Sequence, residues 1–226
     1  MLTANSLGTG VAPTEDSGAI EWDDADEISH ARIPPHAPHR FVDLKVFEAA
    51  EQGFVSAYLI VPPTVFGKGL GTFAEYRMSI QIPRLIYHSL MYRQATYVGP
   101  GENVWPNVHV ADLAELYLLI LDAALSNASA PERHCQLFYP VTEHFSWSAV
   151  SERIAQLLHA QQLLPHPVAR SGLMPGWFWG SNVRVTSSNS SALGWQPHHG
   201  GTQAMMDSIP HDLALVLEAI RQRNAD

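Results

Sequence analysis

Val55-Ser56-Ala57-Tyr58-Leu59-Ile60-Val61 runs with barely a polar interruption and stops at Pro62-Pro63. A short, nearly continuous apolar run bounded by proline reads as a buried strand of a parallel sheet. Thr64-Val65-Phe66-Gly67-Lys68-Gly69 follows it as a loop. In an open parallel sheet, ligands lie beyond the carboxyl ends of the strands, so this loop is the first place to look for a site. Just upstream, Val42, Val46, Phe47 and Ala50 recur at helical spacing and Gly53 supplies a stop.

Downstream the alternation continues. A helix is expected over 80–92, with Pro83 tolerated in its first turn. Short strands are expected at 96–98, 108–110 and 135–139, and a helix over 112–125. A further helix is expected over 146–164, with Ser146 or Ser148 as its N-cap. The last helix, 202–223, is expected to be interrupted at Pro210. Strands alternating with helices of this size imply an α/β fold with parallel pairing and right-handed crossovers.

Composition narrows the function class. The chain has 226 residues, 46% hydrophobic and 15% charged, as in an ordinary globular protein. A net charge of -9 argues against a nucleic-acid partner. The single Cys135 excludes an intrachain disulfide framework and a multi-cysteine metal site. It also favours a reducing, cytoplasmic setting. No secretory leader is expected, because residues 1–11 lack a basic start and a long apolar run. The longest apolar stretch, 113–125, is broken by Glu115 and Asp122, which excludes a membrane-spanning helix there.

The charge is unevenly spread. Residues 1–52 hold 10 acidic and 3 basic side chains, and the remainder is nearly balanced. Residues 13–40, rich in Asp, Glu, Pro and His, read as a solvated loop with at most a short turn near Asp23. The run Glu21, Asp23, Asp24, Asp26, Glu27 is expected to be solvated surface.

Three stretches together carry a resemblance. The strand and loop at 55–71, the run Asn107-Val108-His109-Val110-Ala111-Asp112 and the segment Leu193-Gly194-Trp195-Gln196-Pro197 occur in order. They resemble the extended short-chain dehydrogenases/reductases, the NAD-dependent epimerase/dehydratase group, over most of residues 41–200. The resemblance implies an incomplete Rossmann-like parallel sheet with a smaller C-terminal α/β substrate lobe. Residues 1–130 would form the partial Rossmann-like domain and 131–226 the lobe. The family's cofactor is NAD or NADP and its substrates are small molecules.

The resemblance also assigns residues. Pro62, Pro63, Thr64 and Val65 match the loop beside the nicotinamide. Lys45 matches the lysine that binds the nicotinamide ribose and lowers the pKa of a tyrosine four residues earlier. That tyrosine is the family's acid or base in hydride transfer. Phe41 stands in its place and has no proton to give. The Ser/Thr partner falls on Ser6 or Thr3, although the Gly8-Thr9-Gly10 register equally puts Leu7 there. Neither Tyr58 nor Tyr76 can be placed as a substitute. The Gly-rich G-x-x-G-x-x-G cradle for the pyrophosphate does not occur in these residues. The expectation is a truncated family member, not redox-active alone and with doubtful dinucleotide affinity. The alternative is a non-catalytic binding or partner subunit on the remnant fold. Poor solubility, homo-oligomerisation or association with a missing nucleotide-binding half is expected, because buried parallel strands need cover on both faces.

The other polar clusters are given structural roles. Asp112 is expected to cap the helix that follows it, and His109 to serve as a structural donor. Trp177, Trp179 and Trp195 are expected to pack the lobe. The pairs His36/His39 and His198/His199 lack ligand spacing beside a carboxylate, so no metal site is expected.

Overall fold

A computed structural model describes residues 21–26, 33, 37, 39–69, 78–126, 135–172 and 177–223. Ser6, Thr3, Leu7, the 8–10 loop, Glu27, His36, Tyr76 and the Trp177 side chain lie outside the described residues.

The first half runs β1 (Glu21–Asp23), α1 (Arg40–Glu51), β2 (Ala57–Ile60), β3 (Thr64–Phe66), α2 (Gln81–Tyr92), β4 (Thr96–Tyr97), β5 (Val104–His109) and α3 (Val110–Leu125). The second half adds β6 (Cys135–Phe138), β7 (Glu143–Ser146), α4 (Trp147–Ala160), β8 (Arg170–Ser171), β9 (Arg184–Thr186), α5 (Ser188–Ala192) and α6 (Thr202–Arg223). A 3₁₀ turn at Trp177–Gly180 precedes β9.

Pairing is mostly parallel, as the βα alternation requires. β2 runs beside β6 with Ala57 opposite Cys135 and Ile60 opposite Phe138. β3 runs beside β5 with Phe66 opposite His109. β1 pairs with β9, and β4 with β8. β7 turns back antiparallel along β5. The sheets are small, of two or three strands each. The fold is therefore α/β, with a Rossmann-like parallel arrangement that is incomplete among the described residues.

Several expectations need correction. The decisive apolar run is a strand, but only half-buried: Ala57 is covered while Val55 is 48% exposed. Among the described residues its strand neighbour is β6. Thr64–Phe66 is a strand, not a loop. Pro210 does not interrupt α6, which runs through it. It sits on the exposed side, where losing one backbone bond to water is tolerable. Ser146 caps α4, accepting the Ala149 N–H at 3.3 Å.

The acidic front departs most from its reading. Trp22 and Asp24 are buried rather than solvated. The Asp24 carboxylate accepts the backbone N–H groups of Tyr139 at 2.9 Å and Asn189 at 2.7 Å. Asn189 in turn donates its side-chain amide to the carbonyls of Asp24 and Leu137. Asp24 thus ties β1 to the end of β6 and the start of α5. Burial pushes its pKa up, and the backbone N–H groups only partly offset that.

The main core gathers around three tryptophans. Trp147 contacts Trp179 at 4.4 Å, Phe145 at 4.8 Å and Trp105 at 5.4 Å between ring centroids, each edge to face. Asn103 pins the turn carrying Trp179 by donating to the carbonyls of Trp179 and Ser181. A smaller core lies between α3 and the strands, where Leu116 and Ile120 meet Val108, Phe138 and Trp195.

Candidate functional site

β2 and β6 are parallel and end at the same edge. Beyond that edge lies a cavity of about 360 Å³. The end of β2 contributes Ile60, Val61, Pro62 and Pro63. The end of β6 contributes Tyr139, with Val141 two residues on. Trp105 and Pro106 of β5 form another wall, and Val183 and Val185 close it near β9. Polar groups enter from two helix starts: His39 and Asp43 from α1 and Gln81 from α2. This is the crevice at the carboxyl ends of parallel strands where ligands of open α/β sheets lie.

Of the residues assigned from sequence, Pro62 and Pro63 line this cavity. Val65 faces a second hollow of about 310 Å³, shared with Pro63, Gly67 and Gly69. Thr64 is buried, and its hydroxyl finds no hydrogen-bond partner among the described residues. Lys45 is not among the cavity residues; it lies on the surface, 2.8 Å from Glu48. That carboxylate raises the Lys45 pKa and keeps the ammonium charged. Phe41 is 70% exposed and also outside the cavity wall. Phe41 and Lys45 are one helical turn apart on α1, as their spacing dictates. The cavity receives His39 and Asp43 instead, an i,i+4 pair that sequence reading passed over. His39 holds a left-handed backbone (φ 67°) immediately before α1. Few non-glycine residues adopt that conformation, histidine among the more tolerant.

Tyr139 lines the cavity in a setting unlike that of the family's tyrosine. Burial first, then the nearby Asp24 carboxylate, push its phenol pKa upward. A neighbouring lysine would do the opposite.

The second polar assembly is a joint. His109 caps α3, its Nδ1 accepting the Ala111 N–H at 3.2 Å, so the cap is His109 and not Asp112. An acceptor at Nδ1 fixes the neutral tautomer protonated at Nε2. Partial burial and the adjacent His199 lower the His109 pKa, in keeping with that neutral state. Asp112 is fully buried and reaches the 193–197 segment's far side. It accepts the N–H groups of His198 at 2.9 Å and His199 at 3.1 Å, and the His199 ring nitrogen at 2.7 Å. Its own carbonyl accepts the Trp195 indole N–H at 2.8 Å. His199 therefore does have a carboxylate beside it in space. One ligand atom from each of His109, Asp112 and His199 falls within 4.8 Å of the others. The two rings stack at 4.7 Å and 9°. The arrangement suits a packed joint between α3 and the chain leading into α6.

Gly67 lets this joint close. It has φ 91°, and a Cβ there would lie 2.3 Å from His109 Nε2. Gly67→Ala combines left-handed strain of roughly 1–2 kcal/mol with overpacking of roughly 1–3 kcal/mol. Urea denaturation should show the midpoint falling with little change in slope.

Comparison with known proteins agrees with this fold. Residues 20–131 match the model of the "NAD dependent epimerase/dehydratase family". The chain is 34% identical over 180 residues to the uncharacterized protein C2A9.02 of Schizosaccharomyces pombe, covering 76% of this chain and 54% of that protein. It spans about half the length of the curated relatives it matches. Among solved structures it is similar to the DesIV dTDP-glucose 4,6-dehydratase of Streptomyces venezuelae, solved with NAD and TYD bound. That likeness has a TM-score of 0.56 at 12% identity and covers 90% of this chain and 56% of that one. It is also similar to the UDP-glucose 4-epimerase of Thermotoga maritima with UDP-glucose, with a TM-score of 0.54 at 13% identity. There the coverage is 97% of this chain and 62% of that one. With the three sequence stretches, the parallel βα units and the matched family model pointing the same way, the chain belongs to the NAD-dependent epimerase/dehydratase family.

Proposed function

We propose that this chain supplies the small-molecule side of an epimerase/dehydratase-family fold and does not perform hydride transfer alone. The cavity at the carboxyl ends of β2 and β6 carries this reading, because Phe41 and Lys45 both stand outside its wall. In the family's chemistry NAD or NADP supplies the hydride acceptor. The described residues do not fit a dinucleotide. Pro62 and Pro63 offer a nicotinamide-side wall, but Lys45 is engaged by Glu48 and no glycine-rich phosphate cradle is present among the described residues. Residues 1–130 then represent the partial Rossmann-like part and 131–226 the substrate lobe, in a cytoplasmic setting. No described helix is long and apolar enough to cross a membrane.

Calorimetric titration of the purified chain with NAD(H) and NADP(H) tests this. No saturable micromolar binding is expected. A saturable micromolar isotherm with either cofactor would overturn the reading. A partner-subunit reading draws support from the apolar residues displayed along α1 and its exit: Phe41, Leu44 and Phe54 are all exposed. It supposes a nucleotide-binding half or a second copy against that surface.

A further inference from the structure

The cavity's walls say which chemistry they accept. Apolar side chains from β2, β5, β9 and the β6–β7 connection make up most of the lining. His39, Asp43, Gln81 and Tyr139 are the polar groups, and the described lining contains neither lysine nor arginine. The formal negative charge in the wall is Asp43, which also lies in the first turn of α1. It therefore offsets the positive end of that helix, which would otherwise attract an anion. Arg40 is adjacent in sequence but buried, with its guanidinium 5.4 Å over the Phe47 ring. A diphosphate entering this space would lose water and meet a carboxylate, with no lysine or arginine in the described lining to pair with it, although the buried Arg40 acts on Tyr139 through space. That is a steep cost for a doubly charged group.

We infer that the cavity binds a compact, uncharged, mainly apolar molecule carrying a hydroxyl or carbonyl group, and not a nucleotide-linked sugar. The inference rests on reading the cavity as the binding site. Its volume of about 360 Å³ suits a small fused-ring or branched aliphatic molecule. The apolar walls of Val141, Val183 and Trp105 supply contact area. His39 and Gln81 offer hydrogen bonds that fix the orientation of one oxygen.

The test uses two probes, 2-naphthol and UDP-glucose, followed by equilibrium dialysis against the intact chain at low salt. Two variants fill the cavity: Val183→Trp from its wall and Gln81→Trp from its half-exposed rim. The rim substitution keeps the protein folded, as its melting curve will show, should the wall substitution fail to do so. Saturable 2-naphthol binding is expected, weakened about tenfold or more by a folded blocking variant, with no saturable UDP-glucose binding. UDP-glucose binding that the blocking variants weaken would overturn the ligand class while leaving the cavity as the site. If 2-naphthol binds unaffected by a folded blocking variant, or if neither probe binds, the cavity is not the site and both readings fall.

Discussion

Trp147→Ala is expected to cost about 3–5 kcal/mol of folding stability, the range for emptying an aromatic position in a core. Trp147 is fully buried and touches Trp105, Phe145 and Trp179 at once. Its loss leaves a hole bounded by rings that cannot follow it, since Asn103 and the Ser181 carbonyl hold the neighbouring turn. Domain stabilities run at about 5–15 kcal/mol, so the variant should be partly unfolded near physiological temperature. Trp147→Phe keeps most of the volume and should cost about 1–2 kcal/mol. Urea denaturation followed by circular dichroism measures both. Near-equal midpoints for the two variants would show that the hole, and hence the packing described, is not what matters. Because Trp105 stacks on this cluster and also forms the cavity wall, 2-naphthol binding should weaken even in folded Trp147→Phe protein.

Asp112→Ala should be nearly as damaging, by about 2–4 kcal/mol, since one buried carboxylate serves the backbone of His198 and His199 together with the His199 ring. Asp112→Asn retains the shape and loses the charge, so it should cost less. The pair also makes stability depend on pH from both sides. Burial pushes the Asp112 pKa up, yet the His199 side chain and the two backbone N–H groups outweigh that and leave it below the usual value. A lowered acid contributes stability above its unfolded pKa near 3.9 and forfeits it as pH falls through the folded value. The same carboxylate raises His199. A raised base contributes fully below its unfolded pKa near 6.5 and forfeits that as pH rises through the folded value. The joint is therefore strongest in mildly acidic solution. Melting temperature measured from pH 2 to 9, an interval that spans both unfolded pKa values, should lose this component in Asp112→Asn. A variant that tracks the parent in parallel across the range would rule the linkage out.

The βα skeleton was legible because helices and strands have different apolar periods. The expected helices around 42–52, 80–92, 112–125 and 146–164 all appear, with ends moved by a few residues. β1 was not legible: a strand of three residues, Glu-Trp-Asp, has no periodicity to read, and its charge suggested water. What buries Asp24 is a set of backbone donors 115 and 165 residues away, a long-range fact that no local window contains. The cavity was half legible. Pro62 and Pro63 were found because they end a strand, whereas Asp43 and His39 were missed because attention went to the helical pair Phe41 and Lys45. Those two residues share a face of α1 that turns away from the cavity wall. Likewise, Asp112 and His199 are distant in sequence and meet only once the chain has turned past Trp195.

The pairing of β1 with β9 has a consequence for synthesis. A ribosome adds about 5–20 residues per second, so Trp22 leaves it roughly ten seconds or more before Val185 is available to cover it. In that interval the strand has no partner and the Asp24 carboxylate has no backbone donors from residues 139 and 189. Long-range contacts of this kind slow folding, since the loop must close before the contact repays it. The acidic side chains flanking Trp22 then serve the nascent chain as well as the finished one. Their charge is expected to favour hydration of that segment until the last third of the protein arrives.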